Sequence, residues 1–479
     1  MAWTALQKYS TMGIQFISGI VLARLLTAYD YGCIGMLSIF MVLAESFIDG
    51  GFGSALIQKK HPSQQDYSTI FWWNIGMAVV MYVILFASAP AISRFYNIPP
   101  LCDVLRVNGV VLFIYAFNIV QRNQLRKQLN FKVLSIISIT TSLIALSVTI
   151  LMAYKGFGVW ALVASNLISA AIPASAFWFI IKWRPIITFS KQSFKELFNF
   201  GFYMLLTHLV NNFCSKLSGL LIGKLYSPST LGYYSKAAGV ESIASHSISS
   251  IMTQMTYPLY AQVQDNKDIM SNMIKRLTMT LSYLTFPLMF ILILVAKPLF
   301  VLLYSERWIA SVPYFQVLCI VGLSSCLQAV NTQCIAAIGK SKLMFLWTIA
   351  KRIVGLVFMI GGLFWFGMKG FLGGLIVYNW FCYFVNIGLV SKHIGYRWSQ
   401  QLLDIMPSAV VSILAALTSY ICGSLLKLQM YPDGLMKVAV FATIYLGWSF
   451  IIRPEAYTYT LSIIPAKFKF WRKKKITQI

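Results

Sequence analysis

Acidic residues are scarce in this chain, and so is charge altogether. Only 13 Asp and Glu stand against 39 Lys and Arg in 479 residues, and charged residues make up 11% of the whole. A soluble globular domain carries about a quarter charged residues. With 58% hydrophobic residues and a mean hydropathy of +0.72, the chain is excluded from that class. Paired cysteines are missing too: Cys33, Cys102, Cys214, Cys319, Cys326, Cys334, Cys382 and Cys422 form no CxxC, and most lie in apolar runs as small fillers. No DxD, HExxH, GxSxG or GxxxxGK[ST] occurs, and no long polar stretch leaves room for an active site. The chain does not read as an enzyme, and nothing in it calls for a metal or cofactor.

What is present is one apolar run after another. A helix needs about 20 apolar residues to cross the hydrocarbon core, and the ten-residue alternation of a barrel is absent. The runs predict an all-α integral membrane fold of about 14 transmembrane helices. The first run follows MAWTALQKYS, which has neither a basic n-region nor an A-x-A-like site after the span, so it reads as a retained span.

The runs also repeat. Leu22 to Gly32, LARLLTAYDYG, is echoed by IGKLYSPSTLG from Ile222 to Gly232, so that Arg24 is answered by Lys224 and Gly32 by Gly232. Pro90 with Tyr96 is matched by Pro298 with Tyr304, and the outer turn Lys155-Gly156-Phe157 by Lys369-Gly370-Phe371. Three echoes in one order predict a duplication. Because an even number of spans separates the copies, the expected pseudo-two-fold axis runs along the membrane normal, as in transporters. The expected divisions are a six-helix N-terminal lobe with its basic inner connection (1–197), a second six-helix lobe (198–400), two additional helices (401–456) and a basic tail (457–479).

In a soluble protein the basic excess would suggest nucleic acid. Here the positive-inside rule accounts for it. Arg122, Arg126, Lys127 and Lys132 fall in the connection after span four, Lys182, Arg184, Lys191 and Lys195 after span six, and Lys467 to Lys475 in the tail, so both termini are expected in the cytoplasm. The tail, interleaved with Phe468, Phe470 and Trp471, either rests on anionic lipids or acts only as an orientation signal.

Ionisable groups inside spans are costly and are functional candidates. Glu45 and Asp49 share a face of span two at i, i+4, and Glu241 lies in span eight; with His208 and His246 they are the candidates for coupling transport to an ion or proton. Gly50, Gly51 and Gly53 follow as a packing or helix-end feature. Among bases, span seven carries a stripe of His208, Asn212 and Lys216, Lys236 opens span eight, Lys351 and Arg352 sit in span eleven, and Arg24 ends span one. As cavity cations, Arg24, Lys216, Lys236, Lys351 and Arg352 suit an anionic substrate group. The alternative is that some of them pair with the three acids as structural glue or snorkel to the interface.

VLARLLTAYDYG, FIDGGFGSALIQKK, STIFWWN, QRNQLRKQLNFK, GFGVWALVASNLIS, KWRPIITFSKQSFKELFNFG and LIGKLYSPSTLGYYSKA together resemble the Wzx-type bacterial polysaccharide transporters of the multidrug/oligosaccharidyl-lipid/polysaccharide exporter superfamily. The branch with colanic acid, teichuronic acid and succinoglycan export proteins is the nearest in kind. The resemblance implies fourteen helices, two six-helix lobes plus two. It also implies movement of an undecaprenyl-diphosphate-linked oligosaccharide across the bacterial cytoplasmic (inner) membrane, with a polysaccharide polymerase and chain-length machinery as partners. The family's outward turn maps to Arg24 and Tyr29 to Gly32, and its acidic position in span two to Asp49. Two rivals stay open at this point, a multidrug or cation antiporter of the same fold and a membrane enzyme acting on lipid-linked glycan.

Overall fold

The computed structural model describes residues 2–463 apart from 60, 129, 264, 265, 339 and 340, and leaves some side chains aside, His246 among them. The contacts divide the chain between Ser235 and Lys236. The first unit holds α1 (Ala2–Leu25), α2 (Ala28–Asp49), α3 (Phe52–Gln58), α4 (Gln64–Tyr96), α5 (Leu101–Asn108), α6 (Val110–Lys127), α7 (Phe131–Tyr154), α8 (Val159–Ile180), α9 (Lys191–Leu225) and the start of α10 (Pro228–Gln262). The second holds the rest of α10, then α11 (Lys267–Leu294), α12 (Ala296–Tyr304), a 3-10 turn (Glu306–Ser311), α13 (Val312–Ala337), α14 (Ser341–Ile394), α15 (Trp398–Leu426), α16 (Met430–Ile452) and α17 (Glu455–Ile463). Among the described residues, 10 helical stretches are long and apolar enough to cross a membrane. The protein is a multi-pass membrane protein.

In the first unit α1 packs on α7, α7 on α8, α6 on α4 and α8, and α2 on α9. Small residues let α2 and α9 run antiparallel along their length. Gly219 lies opposite Gly35, Gly223 opposite Met36, and Gly201 against the backbone of Gly50 and Gly51. Gly219 and Gly223, four apart, form the small-residue face that close helix packing in lipid favours. The glycine cluster after α2 is both a helix end and a packing point. Gly50 and Gly51 take φ of 58° and 73°, conformations that a side chain would strain, and α3 starts immediately beyond them.

The echoed stretches meet in space. Thr27 caps α2 in a capping box with Asp30, donating its N–H to Asp30 Oδ2 at 2.9 Å, and Ser227 caps α10 by accepting from the Thr230 N–H at 3.1 Å. Where the two helices start, a Cβ on Gly32 would run into the backbone carbonyl of Pro228, and a Cβ on Gly232 into that of Ala28. The contact is reciprocal: each glycine meets the residue four positions before the other.

The connection from α8 to α9 is not a loose basic loop. Arg184 turns back to donate to the carbonyls of Trp178, Ile181 and Trp183 at 2.7, 2.7 and 2.8 Å, satisfying the open end of α8. The strand of chain beyond it is strapped to α4. Gln64 Nε2 donates to the Arg184 carbonyl at 2.6 Å, Trp72 Nε1 to the Ile186 carbonyl at 2.9 Å, and Ile186 N–H to Ser68 Oγ at 3.1 Å. Lys59 then ties the α3–α4 turn to α9, with Asp66 and Glu196 each 3.0 Å from its ammonium.

Burial works to lower the proton affinity of Lys59, but its hydrogen bonds to the Asp66 and Glu196 carboxylates outweigh it and hold the ammonium above the ordinary lysine value. A group raised in the fold contributes fully below its ordinary pKa and loses that contribution as pH climbs through the raised one. Wild-type Tm should therefore exceed that of Lys59→Met at neutral pH. Followed from about pH 9 to about pH 12, the two should converge; curves that stay parallel refute the clamp.

In the second unit α13 packs on α11 and α14, α11 on α15, and α15 on α16. The last pair of long helices is docked through hydrogen bonds rather than merely appended: Tyr283 on α11 donates to Ser449 Oγ on α16 at 2.8 Å, and Tyr445 returns a bond to the Tyr283 carbonyl at 2.8 Å. The outer turn expected at Lys369 to Phe371 sits elsewhere. A single residue, Gly367 with φ 61°, breaks α14 into a hairpin, and Lys369 to Phe371 already belong to its second arm. The arms come so close that the backbones of Gly362 and Gly370 touch, as do Gly374 and the backbone of Phe358. Glycines therefore replace the loop.

Candidate functional site

The first unit holds a partly open cavity of about 840 Å³ between α1, α2, α6, α7 and α8. Its wall is mixed: apolar side chains supply the larger share of the surface, Gln7, Gln15, Asn118, Ser142, Asn166 and Ser169 are among the neutral polar ones, and its charges are Glu45, Arg122 and Arg126. Among apolar helices such a lining is expensive to keep. A charge at the bilayer centre costs about 2.5–3.5 kcal/mol even on the mildest scale; half-buried Glu45 lies within α2, whereas Arg122 and Arg126 are exposed on the last two turns of α6.

Beside this cavity the two stripes legible in the sequence come together. Because α2 and α9 run antiparallel, Glu45 interacts with Lys216, Ser46 Oγ accepts from Asn212 Nδ2 at 2.9 Å, and Asp49 interacts with His208. Asp49 also accepts from the backbone N–H groups of Gly51 and Gly53, and Arg126 adds its charge from α6. Lys216, Glu45 and Asp49 are half-buried, whereas His208 is exposed. Tyr115, in the cavity wall, lies within the electrostatic reach of Asp49, Glu45, Arg122 and Arg126 together.

Arg122 and Arg126 correct the reading that put them in a connection. α6 continues through Lys127, so both are helical and line the cavity. Their spacing, i and i+4 in QRNQLRK, was the available signal. Lys127 is the residue that turns away, its ammonium donating to the carbonyls of Leu56 at 3.0 Å, Ile57 at 3.2 Å and Lys59 to close the end of α3.

The other expected site residues have their own surroundings. Arg24 is exposed in the last turn of α1. In the second unit Lys236 lies over the rings of Tyr304 at 4.4 Å and Trp308 at 5.6 Å. Such a cation–π arrangement stabilises a desolvated ammonium by ~2 kcal/mol or more. Lys351 lies 5.5 Å over Trp347, whose indole N–H donates to Asn386 Oδ1 at 2.7 Å, and Arg352 follows it. Glu241 packs against Gly322, with one carboxylate oxygen buried and unmatched by a hydrogen bond among the described residues. His246 is on α10 with its side chain outside the described set, and the basic tail, Lys467 to Lys475, lies outside the described residues.

A family model described as "Polysaccharide biosynthesis protein" matches residues 21–313, more than half of the chain. The teichuronic acid biosynthesis protein TuaB of Bacillus subtilis is 28% identical over 72% of this chain and 72% of its own length. The lipopolysaccharide biosynthesis protein WzxC of Escherichia coli is 22% identical over 89% of this chain and 88% of its own. Among solved structures, the lipid II flippase MurJ in an inward closed conformation is similar with a TM-score of 0.73 at 12% identity, over 94% of this chain and 98% of MurJ. An inward-facing multidrug resistance MATE transporter follows with a TM-score of 0.62 at 14% identity, over 80% of this chain and 94% of that one. At those identities the structures speak for the fold alone. The family match goes further: the chain belongs to the polysaccharide biosynthesis protein family, in a fold shared with flippases and exporters.

Proposed function

We propose that the protein is a transporter, not an enzyme. It carries an undecaprenyl-diphosphate-linked oligosaccharide repeat unit from the inner to the outer leaflet of the bacterial cytoplasmic membrane by alternating access. The observation that carries this reading is a cavity whose partly polar wall bears two arginines against one glutamate. The excess of cation at that wall suits a polar, anionic passenger and disfavours a cationic drug. Family membership and the flippase fold support the same reading.

In this scheme there are fourteen spans. They are the ten apolar stretches, with both arms of α14 counted, together with α1, α9 and α10, which have the length but more polar faces. The spans form two six-helix lobes related by a pseudo-two-fold along the membrane normal, and the reciprocal crossing of Gly32 and Gly232 supports that duplication. The two extra helices, Trp398–Leu426 and Met430–Ile452, complete the count. Both termini face the cytoplasm, and the basic tail meets anionic lipid. Arg24, Lys216, Lys236, Lys351 and Arg352 serve the diphosphate, Glu45, Asp49, Glu241, His208 and His246 the return stroke, and polymerase and chain-length proteins take the product.

The test is a strain lacking this gene, scored for the leaflet on which lipid-linked repeat units accumulate. Complete units should collect on the cytoplasmic leaflet. Single units on the outer leaflet would mean that translocation is intact, and would overturn the transporter reading.

A further inference from the structure

We propose that the exposed face of α5, with the turn of α4 beside it, is a phospholipid site in which the Arg106 guanidinium, laid on the Phe86 ring, takes the phosphodiester of one membrane lipid. Neither residue lines the cavity of the first unit. The inference goes beyond the transport reading and does not depend on it.

The two faces of α5 differ sharply. Leu101, Val104, Leu105 and Asn108 are buried, which turns Asp103, Arg106, Val107 and, just beyond the helix, Val110 to the other side at i, i+3, i+4 and i+7. Val107 and Val110 are exposed there, as are Val83 and Phe86 on α4. In a membrane protein such a surface meets lipid, and Arg106 stands within it. A charge facing lipid is costly unless an anion or water answers it.

Helix length sets the depth. With 33 residues α4 is about 50 Å long, so it overhangs a hydrocarbon core of about 30 Å. Arg106 lies over Phe86, about 15 Å short of the Tyr96 end of α4. With the overhang shared between the two ends, the guanidinium sits at the edge of the hydrocarbon, just beneath the headgroups.

Protein atoms supply Arg106 with a ring and no anion. Its Cζ is 4.3 Å from the Phe86 centroid. Its Nε is buried without a hydrogen-bond partner among the described residues, and none of the ion pairs there includes it, although Asp103 is one turn away on the same face. A guanidinium laid on a ring keeps its N–H fork free in its own plane, and phosphate accepts that fork bidentately. An arginine that only snorkelled would extend toward the aqueous end of the hairpin. Phe86 holds this one at the depth where lipid phosphates begin. Arg94, exposed about two turns nearer the end of α4, adds positive charge above it.

The experiment uses the full chain, purified in detergent, stripped of lipid and titrated under native mass spectrometry. The probes are dioleoylphosphatidylglycerol, dioleoylphosphatidylethanolamine, dioleoylglycerol, which has the same tails without the phosphate, and farnesyl diphosphate. The wild type should hold a first equivalent of at least one phospholipid at least tenfold more tightly than dioleoylglycerol. Arg106→Gln should weaken that equivalent at least tenfold, and Arg106→Lys, which keeps the charge without the fork, should lose part of it. Phe86→Leu should fall between wild type and Arg106→Gln, and Arg94→Gln should change binding less than twofold. If Arg106→Gln fails to elute as a single species, Arg106→Lys and Phe86→Leu carry the test, and binding unchanged within twofold in both overturns the proposal. So does binding unchanged within twofold in Arg106→Gln, or an equal loss in Arg94→Gln, which would mean diffuse surface charge. A wild type that holds only farnesyl diphosphate in preference to dioleoylglycerol also overturns it, because Arg106 would then serve the passenger. The leaflet assay is separate: its failure leaves this site standing, and loss of the site leaves the transporter reading intact.

Discussion

Gly32→Val is expected to cut transport at least about fivefold in a complementing strain while the protein still reaches the membrane, and Gly232→Val should do the same. A Cβ at either position runs into a backbone carbonyl, of Pro228 in one case and Ala28 in the other. A side chain could rotate aside, but a carbonyl at a capped helix start cannot. The crossing must widen instead. Overpacking of this kind costs about 1–3 kcal/mol, which on a two-state gate is about 5- to 150-fold. If the starts of α2 and α10 move in the transport cycle, a valine at either glycine biases them apart. The double variant should be hardly worse than either single one, because both strain the same crossing. Exported polysaccharide, normalised to membrane protein by immunoblot, measures the effect. Full export with valine at either position would show that this crossing can be loosened without consequence.

Lys216→Ala should lower transport at least tenfold, or ~1.4 kcal/mol in effective free energy, and the partner substitution distinguishes the two causes. Lys216 and Glu45 attract across the α2–α9 contact without closing an ion pair, with the Asn212–Ser46 hydrogen bond one step along and the attraction of Asp49 and His208 beyond it. Removing one member leaves the other half-buried without its counter-charge, so removing both should cost less than removing either one. If the pair were only glue, Glu45→Gln/Lys216→Met would recover both membrane level and export. If Lys216 also meets the passenger, the double variant recovers membrane level and stays defective in export. Wild-type export from Lys216→Ala would remove Lys216 from the site.

Much of this arrangement is legible locally. Helical spacing alone puts Glu45 with Asp49 and His208 with Asn212 and Lys216, because residues four apart share a face whatever the rest of the chain does. The caps are equally local: Thr27 before Asp30 and Ser63 before Asp66 end one segment and begin the next, and both form capping boxes. Arg122 and Arg126 show where local reading misleads. Apolarity fades toward the end of α6, so a hydropathy boundary excludes them, yet the backbone keeps its helical hydrogen bonds through Lys127 and carries both arginines into the cavity wall.

Residue identity does not separate one lysine from another either. Lys59, Lys127, Lys216 and Lys236 are the same side chain in a carboxylate clamp, on a helix end, opposite Glu45 and over two aromatic rings. Hydropathy and spacing dictated the membrane class, the helices and the faces that carry charge, because those follow from a few neighbouring residues and from lipid as solvent. Which face meets which, that Gly32 and Gly232 cross, and which cations line a cavity were decided only in three dimensions. Those outcomes depend on close packing between segments far apart in the chain, where a missing Cβ or a single φ such as that of Gly367 sets how near two helices come.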